Sequence, residues 1–152
     1  MILAVALALA IGIRDARDRV IPNTWTALLA GLGLGFQVVR LVKPGWLPPW
    51  EAAVASRADS PATCILCAAA ALAVGVAAEL LHRHRTGEPG MGLGDVKYLA
   101  AWSLVMGREA IVCFAAACLL GALVALARHE RDFALGPWIG LCCVAWLALC
   151  CW

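Results

Sequence analysis

Long apolar runs broken by short charged clusters organise this chain. Residues 2–13 are apolar and end at Arg14. Residues 24–42 follow, interrupted only by Gln37 and Arg40 near the far end. An alanine-dense run covers 61–81, an uncharged stretch covers 98–106, and further apolar runs cover 110–127 and 133–152. Runs near the ~20 residues that cross a ~30 Å hydrocarbon core read as transmembrane helices. The pattern predicts an all-α fold, a polytopic transmembrane helical bundle of about six membrane segments with the first and fourth short. At 1.5 Å per residue the first run covers only ~18 Å, so that helix is expected to be short, tilted or truncated by the chosen start. It lacks the basic flank and small-residue cleavage site of a signal peptide.

The breaks carry their own signals. Prolines at 44, 48 and 49 stop the second helix, so 43–60 is expected to be a loop whose Trp46 and Trp50 suit the membrane interface. Arg40 is expected to snorkel towards that interface. The polar run 82–89 is expected to end the third span, the fourth span to start within the glycine loop preceding it, and 128–132 to form a charged turn. Asn23 or Thr24 is the natural N-cap of the second helix.

Composition sharpens this picture. With 64% hydrophobic and 14% charged residues and a mean hydropathy of +0.88, the 152 residues are far more apolar than a soluble domain. They are expected to form a single integral membrane domain over 1–152, in contact with membrane lipid. A net charge of +2 is too small to point to nucleic acid. Its distribution is more informative. Arg14, Arg17, Arg19, Arg83, Arg85, Lys97, Arg128 and Arg131 fall in one set of alternate loops, against Arg40, Lys43, Arg57 and Arg108 in the other. The positive-inside rule puts the first set in the cytoplasm.

Eight cysteines, at 64, 67, 113, 118, 142, 143, 150 and 151, all lie in apolar stretches and read as small buried hydrophobes. Cys64 and Cys67 have the spacing of half a metal site without a matching pair, and His82 and His84 read as solvated interface histidines. Neither a metal nor another cofactor is expected.

Two acidic segments carry the candidate chemistry. One runs from Asp15 through Ile21, Pro22 and Asn23; the other is Gly90-Met-Gly-Leu-Gly-Asp95-Val-Lys97. Acids where a membrane segment meets a loop are costly and usually functional. Alternating glycines at 90, 92 and 94 each cost about 1 kcal/mol in a helix and favour a non-helical loop, which at membrane depth must line protein or a wet cavity. Read alone, each acid favours a plain reading: Asp95 as a helix N-cap with Lys97 at the interface, and Asp15 as a solvated loop acid paired with Arg14, Arg17 or Arg19.

Together the two segments resemble the type IV prepilin peptidases, a family of polytopic membrane aspartic proteases. Their first motif is an Asp six residues before an aliphatic-Pro-Asn/Asp triplet, as Asp15 stands to Ile21-Pro22-Asn23. Their second is Gly-x-Gly-Asp followed by an aliphatic residue and Lys, as in Gly92-Leu93-Gly94-Asp95-Val96-Lys97. Leu135-Gly136-Pro137-Trp138 is similar to the Gly-Pro-aromatic start of the family's last span. Presenilin-like proteases share Gly-x-Gly-Asp, but their Tyr-Asp and Pro-Ala-Leu motifs are absent.

The resemblance implies catalytic roles for Asp15 and Asp95, with Pro22, Asn23, Gly92, Gly94 and Lys97 as supporting loop positions. It implies a membrane-embedded aspartic endopeptidase of the cytoplasmic (inner) membrane. The implied partner is a prepilin or pseudopilin, cut after a glycine between a basic leader and an apolar helix. The paired Cys-x-x-Cys domain of larger members is missing, so peptidase activity without methyltransferase activity is expected. Like charges at close range share one proton, one carboxyl serving as base on water and the other as acid. The rival readings are a non-catalytic membrane component of a pilus or secretion assembly, and a small transporter, although no inverted repeat is visible.

Overall fold

The computed structural model describes residues 1–87, 92–129 and 134–151. Gly90, Met91, most of the 128–132 turn, Phe133 and Trp152 lie outside them. Every regular element among the described residues is a helix: α1 Ile2–Asp18, α2 Asn23–Val42, α3 Pro49–Arg57, α4 Pro61–Thr86, α5 Leu93–Met106, α6 Glu109–Arg128 and α7 Gly136–Cys150, with a 3-10 turn at Pro44–Trp46. Three of them, α2, α4 and α6, are long and apolar enough to cross a membrane, and α7 is a shorter apolar helix. This is an all-helical membrane protein.

The short helix α5 is the core of the bundle. From Val96 to Met106 its side chains are buried on nearly every face, as expected of a helix apolar all round. It packs between α4 and α2 and against α6, while α1 pairs with α7 and α7 with α6. Small residues permit these approaches: a Cβ at Gly75 of α4 would lie 2.5 Å from Val96, and one at Gly33 of α2 would lie 2.9 Å from Leu104. Large aliphatics such as Leu66, Val74, Val112, Leu119 and Leu126 point outward, the inverse of a soluble bundle and the surface that lipid requires.

Four sequence expectations need correction. The first helix does not stop at residue 13 but continues to Asp18, closed by left-handed Arg19, because an Arg14–Asp18 pair at i,i+4 supports its last turn. Residues 43–60 are not simply a loop. Pro49 at the first helical position starts α3 rather than breaking it, and Val54 buries against the bundle. The third predicted span, α4, runs through His82 and His84 to Thr86 before Gly87 caps it at φ 75°, since basic residues suit a helix C-terminus. The cap of α2 is Pro22, whose carbonyl accepts the Thr26 amide at 3.1 Å.

Arg40 does not snorkel. Its guanidinium turns inward to Gln37 Oε1 at 2.8 Å and to the carbonyls of Asp59 and Ala55, both at 2.9 Å, while Gln37 donates to the Leu104 carbonyl at 2.6 Å. Asp59 in turn accepts the Arg108 guanidinium at 2.8 Å and the Arg108 amide at 2.7 Å. These charge-assisted hydrogen bonds hold the Asp59 carboxyl below the usual carboxylate range. Gly107 makes the turn possible, with φ 67° and no room for a Cβ, which would meet Asp59 at 2.5 Å. One end of the bundle is thereby locked, and the candidate chemistry lies at the other.

Cys64, Cys113, Cys143 and Cys150 are buried, Cys67, Cys118 and Cys142 half-buried, and Cys151 is exposed, contrary to the expectation of burial for all eight.

Candidate functional site

Asp15 reaches the interior by helical periodicity. Ala4, Ala8, Ile11 and Asp15 form the buried face of α1, and the spacing that turns the first three inward turns the aspartate inward too. Only 6% of it is exposed. The reading as a solvated loop acid is therefore overturned. The carboxylate accepts the backbone amide of Gly136, which donates to Oδ2 at 3.0 Å. That amide opens α7, where unsatisfied N–H groups and the helix dipole favour an anion. A Cβ at Gly136 would stand 2.7 Å from the same oxygen, so only glycine lets the carboxylate sit there.

Asp95 lies in the first turn of α5. Gly92, not Asp95, is the N-cap, and the Asp95 amide closes on the Gly92 carbonyl at 3.0 Å. The plain N-cap reading is thus also corrected. Gly94 is helical rather than part of a loop, and Gly90 lies outside the described residues. One carboxylate oxygen of Asp95, Oδ1, is buried without a hydrogen-bond partner among the described residues. Asp15, near the end of α1, and Asp95, in the first turn of α5, lie at the same end of the bundle.

The two motifs touch in two places. Gly94 packs on Ile21, where a Cβ would come within 3.1 Å, and Lys97 Nζ donates to Asn23 Oδ1 at 3.2 Å. Pro22 holds the start of α2 between these contacts at φ −65°. Residues far apart in sequence, Asp15, Ile21, Pro22 and Asn23 with Gly92, Gly94, Asp95 and Lys97, are thus gathered at one end of the bundle. Beside them a groove of about 360 Å³ runs between α2, α4 and α5, walled by Ala68, Leu72 and Ala101 and with Asn23 and Lys97 at its mouth.

Asp18, three residues after Asp15, points elsewhere: it pairs with Arg14 at 3.2 Å, and both side chains are more than half exposed. Such a pair contributes about 0.3–0.5 kcal/mol. His82 and His84 are exposed on α4, and among the described residues no three His, Cys, Asp or Glu gather into a metal site. Sequence reasoning noted Gly136-Pro137 but did not assign it to the site. Its signal was a glycine before a helix-starting proline, which marks an amide free to bind an anion. Tyr98, one turn inside Asp95 and fully buried, was read only as the start of an apolar run.

The family model described as the type IV leader peptidase family matches residues 2–126. No curated protein matches the chain, and no solved structure does.

Proposed function

This chain belongs to the type IV leader peptidase family, and on that premise we propose that it is a membrane-embedded aspartic endopeptidase. Residues 1–152 act as one peptidase domain that removes the leader of a prepilin-like substrate at the cytoplasmic face of the inner membrane. Support for this reading comes from the contacts that bring the two motifs together at one end of the bundle, with Asp15 held by the Gly136 amide and Asp95 keeping a buried oxygen without a partner among the described residues.

In the reaction, the dyad holds one proton. The ionised carboxylate takes a proton from water as the water oxygen attacks the scissile carbonyl, and the protonated partner gives its proton to the carbonyl oxygen. Collapse of the tetrahedral intermediate returns that proton to the dyad and delivers the other to the departing amine. Atoms and charge balance without a covalent enzyme intermediate. The pair titrates as a unit, so neither Asp15 nor Asp95 is assigned as the first base. Pro22, Asn23, Gly92, Gly94 and Lys97 hold the two carboxylates together through the Gly94–Ile21 and Lys97–Asn23 contacts. The apolar groove with Lys97 at its mouth suits the substrate's apolar helix, leaving the basic leader beside the acids.

A prepilin co-expressed with this protein tests the proposal by gel shift. Wild type and Asp18→Asn should both cut it, with a new N-terminus after the leader, because Asp18 pairs with Arg14 in solvent. An uncut prepilin with wild type would point to a non-catalytic assembly component. Cleavage lost in Asp18→Asn but kept in Asp15→Asn would reverse the assignment of the first acid.

Orientation has its own test. Single cysteines replacing Arg17 and Thr86 in a cysteine-free background should label from the cytoplasm, and one replacing Ser56 from the opposite side. Opposite labelling of positions 17 and 86 would dismantle the shared site.

A further inference from the structure

Three buried polar atoms lie on one face of α5 with no hydrogen bond of good geometry among the described residues, Asp95 Oδ1, Tyr98 Oη and Trp102 Nε1, although the Trp102 indole lies beside the Tyr98 hydroxyl and interacts with it. Their spacing of three and then four residues places them one above another, a turn apart. A buried hydroxyl or indole N–H left unpaired costs about 1–3 kcal/mol, so an interior built only for packing would carry Phe and Leu here. One such atom is an irregularity; three in register, beginning at a proposed catalytic acid, form a polar track leading inward.

The surroundings of Tyr98 are shaped to its hydroxyl. The residue is fully buried, with its ring edge-on to Trp102 at 6.4 Å between centroids. A Cβ at Gly140 of α7 would stand 2.9 Å from Oη and 3.3 Å from the Ala8 carbonyl oxygen of α1, so the hydroxyl occupies a slot that those small residues leave open. The same two helices meet at Asp15 and Gly136. Gly140 is one turn along α7 from Gly136, Ala8 is two turns along α1 from Asp15, and Tyr98 is one turn, about 5 Å, along α5 from Asp95. The hydroxyl therefore lies about one helical turn inside Asp95, against the same two helices that meet at Asp15 and Gly136.

We propose that Tyr98 is a positioning residue for peptide hydrolysis: its hydroxyl anchors, through a bridging water, the nucleophilic water held between Asp15 and Asp95. The proposal rests on the dyad reading. Its chemistry is that of a fixed donor and acceptor at the inner wall of the site, which orients the water's lone pair towards the scissile carbonyl and sets the protonation balance of the pair.

Purified Tyr98→Phe in nanodiscs, assayed on a prepilin peptide, tests it. The expected result is a fall of about 10- to 100-fold in kcat with KM within about twofold, a kcat–pH profile displaced from wild type, and a melting temperature close to wild type because the ring that fills the core is kept. A packing role would instead lower the melt and leave kcat per folded molecule and its pH profile unchanged. Gly140→Ala provides the second arm, since its methyl pushes directly on Oη. It should cost activity in the wild-type background and little more in Tyr98→Phe. Wild-type kcat and pH profile in Tyr98→Phe, or full additivity of the two substitutions, overturns the proposal. Asp95→Asn run alongside separates the two levels: a dead Asp95→Asn beside a fully active Tyr98→Phe rejects only the tyrosine's role, whereas an active Asp95→Asn rejects the dyad itself.

Discussion

Asp15→Asn and Asp95→Asn should each reduce prepilin cleavage by a factor of about 10²–10⁴ while leaving the protein inserted and folded. An amide cannot take a proton from water or return one to the leaving amine, so either substitution removes a function that the pair performs jointly. Groups that act as a unit are non-additive, and the double variant should be no slower than the slower single. Folding should survive for different reasons at the two positions. In Asp15→Asn the side-chain amide keeps an oxygen to accept the Gly136 N–H, losing only charge assistance, whereas Asp95→Asn replaces an acid whose buried Oδ1 has no partner among the described residues. Processing in nanodiscs beside a thermal melt reads both quantities. Near-wild-type turnover by either single variant would end the two-aspartate mechanism. Unfolding of both would make the acids structural.

The residues behind that expectation were legible in the sequence because their signals are local. Asp15 stands at a fixed spacing from Ile21-Pro22-Asn23, and Asp95 is flanked by glycines and Lys97, so each motif can be read without knowing what it touches. The helical bundle was legible for the same reason, since hydrophobic run length needs no partner. Errors fell where local signals conflict. Pro48 and Pro49 break one helix and begin another, and the position of Val54 against the bundle decides which effect prevails. Arg14 to Asp18 reads as a charged loop until Asp15 is seen to continue the inward face of Ala8 and Ile11. Arg40 looks like a snorkelling side chain, but the carbonyls that receive it belong to residues 15 and 19 positions away. The Asp15–Gly136 bond spans 121 residues. No spacing rule reaches that far, so Gly136 stood out as a motif without a role, and Tyr98 did not stand out at all.

Gly136→Ala should lower cleavage by about 10- to 100-fold. The new methyl would stand 2.7 Å from Asp15 Oδ2, 3.1 Å from Cγ and 3.2 Å from Cβ, so rotation of the carboxyl end alone does not relieve it. The carboxylate must swing off the α7 amide and away from Asp95. Losing a hydrogen bond to a charged group costs about 1.5–3 kcal/mol of stability, comparable with the about 1.4–2.7 kcal/mol to which that fall in rate corresponds, and misplacing a catalytic group by about 1 Å is enough to produce such a fall. Gly31→Ala and Gly35→Ala on α2 serve as controls, since nothing lies within 4 Å of a Cβ at either position. Alanine there improves helix propensity by up to about 1 kcal/mol and should leave cleavage unchanged. The measurement is kcat per folded molecule for the three variants with their melting temperatures. If Gly136→Ala cleaves as fast as the two controls, Asp15 does not need the position that the Gly136 amide gives it, and the amide is a helix cap rather than part of the site.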